Sequence, residues 1–251
     1  MLVLVAFLGL CAGVAAFVFL IVNLDLASPQ LTGLVTQGRV YYLHFTWNLS
    51  AQAPMVNIVS PGISLLIAWL AAFVFLKYFR KITSPQLFFL ALFWLSMGTE
   101  LVRVLNLFMI NHDATLNDRM LLARIAIMGR VTGSLAIFAA SLYSAGIKIQ
   151  HQETILGGIL LVAVSLAYLI PLDIDRIGQE LLLVPSSGFS LDIFRILTGL
   201  LTVSNFLKYA IGTKDVREFI LVIPIIFLLL GQEVMFLSMD WIGVVVSWLF
   251  M

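Results

Sequence analysis

What most constrains this chain is a succession of apolar runs, each about long enough to carry an α-helix across a bilayer. A spanning helix takes about 20 mostly apolar residues, because the hydrocarbon core is about 30 Å thick and each helical residue rises about 1.5 Å. Seven stretches reach or approach that length: residues 2–22, 58–76, 86–110, 120–146, 154–171, 190–211 and 219–238. Composition points the same way. Of the 251 residues 62% are apolar and 11% charged, with a mean hydropathy of +1.10, where a soluble domain carries about 45–50% and about 25%. A water-soluble fold has too little interior to hide that much apolar surface.

The predicted fold class is therefore an all-α integral membrane protein: a seven-transmembrane-helix bundle, one polytopic domain over 1–251, multi-pass in a cell or inner membrane. A last apolar run, 241–251, is about half a span and fits an interfacial, re-entrant or extending segment equally well. The first span has no Lys or Arg in its first twenty residues. It thus lacks the basic leader of a cleaved signal peptide and reads as a retained helix.

Basic residues in the short connections set the expected orientation. Lys77, Arg80 and Lys81 lie between spans two and three, Lys148 between four and five, and Lys208, Lys214 and Arg217 between six and seven. These seven include all five lysines in the chain; the opposite side has Arg39, Arg119 and Arg176, with most of the loop acids. The N-terminus is thus predicted inside and the C-terminus outside. The two long connections, 23–57 and 172–190, then lie outside. The first contains Arg39-Val-Tyr-Tyr-Leu-His-Phe-Thr-Trp47, rich in β-branched and aromatic residues. That stretch suits a short hairpin or an interfacial aromatic belt. Asn48-Leu-Ser50 matches the glycosylation triplet, a pattern of low specificity.

One internal likeness stands out. Phe-Leu-Lys-Tyr occurs at 75–78 and again at 206–209, each followed by a charged turn, an apolar span and Gly-x-Glu, at Gly98-Thr-Glu100 and Gly231-Gln-Glu233. Taken as a duplication, spans 2–3 resemble spans 6–7 in a 3+1+3 parallel repeat, a layout found among transporters.

The sharpest functional signal is charge inside the spans. Span three carries Ser96, Glu100, Arg103 and Asn106 on one helical stripe, and span six carries Arg195, Thr198, Thr202 and Asn205 on another. Span four carries Arg124 and Arg130, the latter sharing a face with Ser134, Ser141 and Ser144; span seven carries Gln232 and Glu233. A charge at the bilayer centre costs about 2.5–3.5 kcal/mol on insertion scales. These side chains must therefore face the bundle interior.

Two readings follow. In one, Glu100, Arg103, Asn106, Arg124, Arg130, Arg195, Gln232 and Glu233 line an Arg-rich pocket in the outer half of the membrane. Guanidinium forks suit carboxylate or phosphate, so the pocket would take a small anionic solute or a lipid headgroup, for transport or sensing. In the other, the charges form an interhelical ion network, Glu100 with Arg130 and Glu233 with Arg103 or Arg195. The chain would then be a non-catalytic structural or assembly subunit of a membrane complex. Both readings place it among membrane lipids, with partner membrane proteins where it reports or assembles.

Other classes have little support. No basic cluster marks a nucleic-acid surface. The histidines, His44, His112 and His151, all lie in connections, and Cys11 is the single cysteine, so no haem, metal or other cofactor site is expected. Ser186-Ser-Gly188 has no identifiable base and suits a turn. An enzyme is not expected; Glu100 and Glu233 would be the only acid–base pair. The seventh span has no lysine, which excludes a retinal Schiff base there. Gly129 and Gly133 make a small-xxx-small pattern that favours close helix approach. Ser60-Pro61-Gly62 is placed at the start of span two, and Pro224 in the inner third of span seven, where a proline kinks a helix.

Overall fold

A computed structural model describes residues 2–23, 39–42, 45–48, 53–79, 84–112, 115–147, 151–177, 182–186, 188–213, 222–231 and 245. Its helices are α1 (Leu2–Val22), α2 (Ala53–Phe79), α3 (Pro85–Met97), α4 (Leu101–Asn111), α5 (Leu116–Ser144), α6 (Gln152–Leu169) and α7 (Gly188–Thr213), with a further apolar helix α8 (Val222–Gly231). A single 3₁₀ turn, Gly98–Glu100, joins α3 to α4 without a loop. Among the described residues four helices are long and apolar enough to cross a membrane: Pro85–Asn111, Leu116–Ser144, Gln152–Leu169 and Ser190–Thr213. Their limits follow the apolar runs to within a few residues, because the change from apolar to polar sequence is itself what ends a span. Of the expected seventh span, 219–238, only the α8 part lies within the described residues, and of 241–251 only Val245 does.

The α3–α4 rod and α5 form the antiparallel centre of the bundle. Over half of each spanning window is buried, 56% and 61%, against 17% for α6 and 11% for α7. Phe89, Phe93 and Trp94 of α3 interlock with Ile137 and Ala140 of α5, and Leu65 and Ala68 of α2 close the cluster. The peripheral helices leave large apolar side chains uncovered, including Leu161 at 67%, Leu169 at 78% and Leu200 at 60%. Contiguous faces of this kind are not left in water, whereas lipid solvates them at no cost.

Local chemistry sets the helix ends. Pro85 opens α3 after Ser84, a position where its missing N–H is not needed. The Thr115 hydroxyl accepts from the Asp118 amide at 3.4 Å while the Thr115 amide donates to Asp118 Oδ2 at 3.1 Å, a reciprocal cap on α5. Gly146, at φ +84°, ends the turn after α5. One expectation is corrected: α2 begins at Ala53, so Pro61 lies well inside it rather than at its start. The ladder loses one hydrogen bond there. Next to it, Gly62 lets the Phe17 ring of α1 lie against the backbone where a Cβ would collide with it.

The departure from an all-helical chain is a four-stranded sheet of order β2-β1-β3-β4, from β1 (Arg39–Tyr42), β2 (Phe45–Asn48), β3 (Leu172–Ile177) and β4 (Leu183–Pro185). Of the two forms open to the 39–47 stretch, the hairpin is the one adopted, with Arg39 opposite Asn48 and Tyr42 opposite Phe45. β1 then pairs in parallel with β3 through Val40 and Ile177. The sheet therefore ties the 23–57 connection to the 172–190 connection, and both sit at one end of the bundle, the sheet end.

Candidate functional site

The centre of the site is the 3₁₀ turn. It falls near the middle of the 85–111 rod, with Glu100 eleven residues, or about 16 Å, from the sheet end. Short polar side chains hold the tight turn: Ser96 Oγ donates to the Phe93 carbonyl and Thr99 Oγ1 to the Ser96 carbonyl, both at 2.6 Å. Bonds of this kind compete with the regular helix ladder. Opposite them, α5 presents Gly129 and Gly133. A Cβ at Gly129 would strike the Thr99 side chain and one at Gly133 would strike Ser96 Oγ. The small-xxx-small pattern thus lets α3 and α5 touch at the place where the rod changes pitch.

That contact brings three charges together. Arg103 Nε lies 2.8 Å from Glu100 Oε2, and Arg130 Nε donates to Glu100 Oε1 at 3.3 Å. Glu100 and Arg103 are each 3% exposed, Arg130 is 13% and Asn106, one turn further along α4, is 1%. One carboxylate thus bridges two guanidiniums, one on its own rod and one across the helix interface. In a low-dielectric interior such a group is held by strong mutual attraction against a large desolvation cost.

The other expected residues are placed elsewhere. Arg124 of α5 lies over the Tyr168 ring of α6 at 4.6 Å, a cation–π contact near the sheet end. Arg195 of α7 is 3.6 Å from Asp192 of the same helix. Gln232 and Glu233 lie outside the described residues. The stripe on α7 does meet α5: Thr198 and Thr202 are buried, and Asn205 Nδ2 donates to Ser141 Oγ at 3.0 Å. The expected pairing of Glu100 with Arg130 is present. Arg103 pairs with Glu100 on its own rod; the expected pairing of Glu233 with Arg103 or Arg195 falls on a residue outside the described ones. Sequence reasoning passed over Asp192 and Tyr168. The three-residue spacing from Asp192 to Arg195 was a readable signal, whereas nothing in the sequence points from Arg124 to Tyr168.

Among the described residues no group of three His, Cys, Asp or Glu side chains is placed to hold a metal ion. A cavity of about 690 Å³ lies away from the charges, towards the end opposite the sheet, between α2, α3, α5, α7 and α8. Its walls are mostly apolar, with Trp94, Ile137, Leu90 and Leu228 among them, and its polar groups are Gln86, Ser144 and Tyr209. Pro224, in the first turn of the described part of α8, also lines it. Compared with known proteins, the chain matches no family model, no curated protein and no solved structure.

Proposed function

We propose that this is a non-catalytic, seven-helix multi-pass membrane protein whose arginine-rich core binds a small anionic solute or lipid headgroup, which it transports or senses. The observation that carries this reading is the pair of arginines gathered around Glu100 at mid-span. Ionisable groups at that depth are costly, and they are usually retained for binding or conduction. Inside the spans, leaving aside Lys208 near the end of the sixth, Arg103, Arg124, Arg130 and Arg195 stand against Glu100, Asp192 and Glu233, four cations to three anions, which leaves one positive charge. A guest anion would complete that balance.

The test is single replacement of Arg103, Arg130 and Arg195 by Gln, with binding of inorganic phosphate, a dicarboxylate and phosphatidylglycerol measured on the purified protein. Loss of a charge-assisted contact should weaken binding of the accepted anion at least about tenfold while membrane abundance stays near wild type. Variants that bind normally, or fail to accumulate, refute the reading. A second reading has its own support. Both Glu100 oxygens are engaged and the cluster is nearly sealed from solvent, as suits an ion network that locks helices in a structural subunit.

The proposed topology has the N-terminus inside, the C-terminus outside and the sheet outside. It is supported by the lysine-rich connections, which all lie at the end away from the sheet if every span crosses. In a Cys11→Ser background, a cysteine introduced at Thr213, an exposed residue at the end of α7, should be shielded from an impermeant thiol reagent in intact cells and react after lysis. Labelling in intact cells reverses the assignment. The 3+1+3 repeat belongs to the same proposal: both Phe-Leu-Lys-Tyr copies fall near helix C-termini, in α2 and α7.

A further inference from the structure

The apolar cavity at the end opposite the sheet is remote from the arginine cluster. It runs along α3 from Gln86 to Trp94, eight residues or about 12 Å, close to the depth of one leaflet of hydrocarbon, about 15 Å. Its deep end is closed by Trp94 and Ile137, while its shallow end holds Gln86, Ser144 and Tyr209. The wall is not sealed sideways: Val74 of α2 is 49% exposed and Tyr209 of α7 37%. At about 690 Å³ it is of the size that encloses a ligand. Among the described residues, one cation adjoins its shallow end. It is Lys208, which adjoins Tyr209 and is exposed.

We propose that this cavity holds one acyl chain of an anionic phospholipid. The chain enters sideways from the leaflet at the Lys208 end, the terminal methylenes reach Trp94, and the phosphate stays at the rim beside Lys208. The polar trio at the shallow end meets the ester region, and the apolar depth admits nothing that needs a hydrogen bond. Basic side chains at the membrane surface favour anionic over zwitterionic headgroups. The site is separate from the arginine cluster and stands whether or not that cluster binds an anion. It also holds for either orientation of the bundle.

The experiment uses the full chain with Trp47, Trp69, Trp241 and Trp248 replaced by Phe, which leaves Trp94 as the sole indole. In detergent micelles it is titrated with phosphatidylglycerol brominated on its acyl chains, and in parallel with brominated phosphatidylcholine. Saturable quenching of Trp94 is expected, with phosphatidylglycerol bound several-fold more tightly. Ala140→Phe, which fills the cavity, should abolish the saturable component. Lys208→Gln, on an exposed position that does not threaten folding, should reduce the preference for phosphatidylglycerol several-fold and leave the emission spectrum unchanged. Quenching that rises linearly with either lipid, saturates equally with both, or survives Ala140→Phe in a folded protein overturns the proposal.

Discussion

Glu100→Gln is expected to remove most of the protein from the membrane. The substitution keeps the shape of the side chain and removes the one charge that two buried arginines share, at 2.8 and 3.3 Å. Deleting one partner of a buried ion pair costs about 3–5 kcal/mol, because the other partner stays behind without compensation. Here two guanidiniums are left facing each other at mid-span. Most proteins have only about 5–15 kcal/mol of stability in total. Loss of that size should appear as a large fall in steady-state abundance and in the melting temperature of whatever is purified. Unchanged abundance and melting temperature in Glu100→Gln would show that the cluster is not stabilised by the bridges seen here.

The same residue separates the two functional readings. Replacing the whole cluster, Glu100→Leu with Arg103→Leu and Arg130→Leu, removes the charges and their desolvation cost together. Exchanges of this kind are often neutral, or stabilising by about 1–4 kcal/mol. If the charges serve only as helix glue, the triple variant should accumulate and still assemble with its partners. If they bind an anion, the triple variant should accumulate and bind nothing. Abundance reports packing and anion binding reports function, so the two measurements do not stand in for each other.

The helical plan was legible because lipid imposes a simple code. A run of the right length and hydropathy is a candidate span, and residues 86–110 or 190–211 could be bounded almost to the turn. The stripe Ser96, Glu100, Arg103 and Asn106 was legible for a related reason: hydrocarbon on all other sides leaves charges only one face to occupy. What was not legible depends on contacts between helices. The bridge from Glu100 to Arg103 lies within one rod and could be counted from spacing, but the bridge from Glu100 to Arg130 is made by the packing of α5 on the rod. The 3₁₀ turn has no periodic signature, since it arises from Ser96 and Thr99 bonding back to carbonyls opposite two glycines. Strand β3 did carry a signal: Leu172-Asp-Ile-Asp175 alternates apolar and acidic residues, the period of a half-buried strand, yet a bilayer-scale window averages it away. The apolar cavity is volume left between side chains of five helices, and no single segment encodes it.

The second large effect is expected at Gly129. Gly129→Ala adds a single methyl group, normally a gain of about 1 kcal/mol in an α-helix. At this position the new Cβ meets the Thr99 Oγ1, Cβ and Cγ2 atoms together. Thr99 cannot swing clear, because a β-branched side chain has few rotamers in a helix and its hydroxyl is committed to the Ser96 carbonyl. Relief has to come from moving α5 away from the rod, and overpacking of that kind costs about 1–3 kcal/mol. Separation also lengthens the Arg130 to Glu100 contact, which at 3.3 Å has little slack. Gly129→Ala should therefore lower the melting temperature despite its favourable helix propensity. Adding Thr99→Ala should recover part of the loss, since it removes Oγ1 and Cγ2 and leaves only the Cβ contact. A control at Gly157 on α6, where an added Cβ meets nothing within 4 Å, should leave stability unchanged or slightly raised. Equal behaviour of Gly129→Ala and Gly157→Ala would mean that the 3₁₀ turn and α5 do not meet at Thr99. The charge cluster would then have to be assembled some other way.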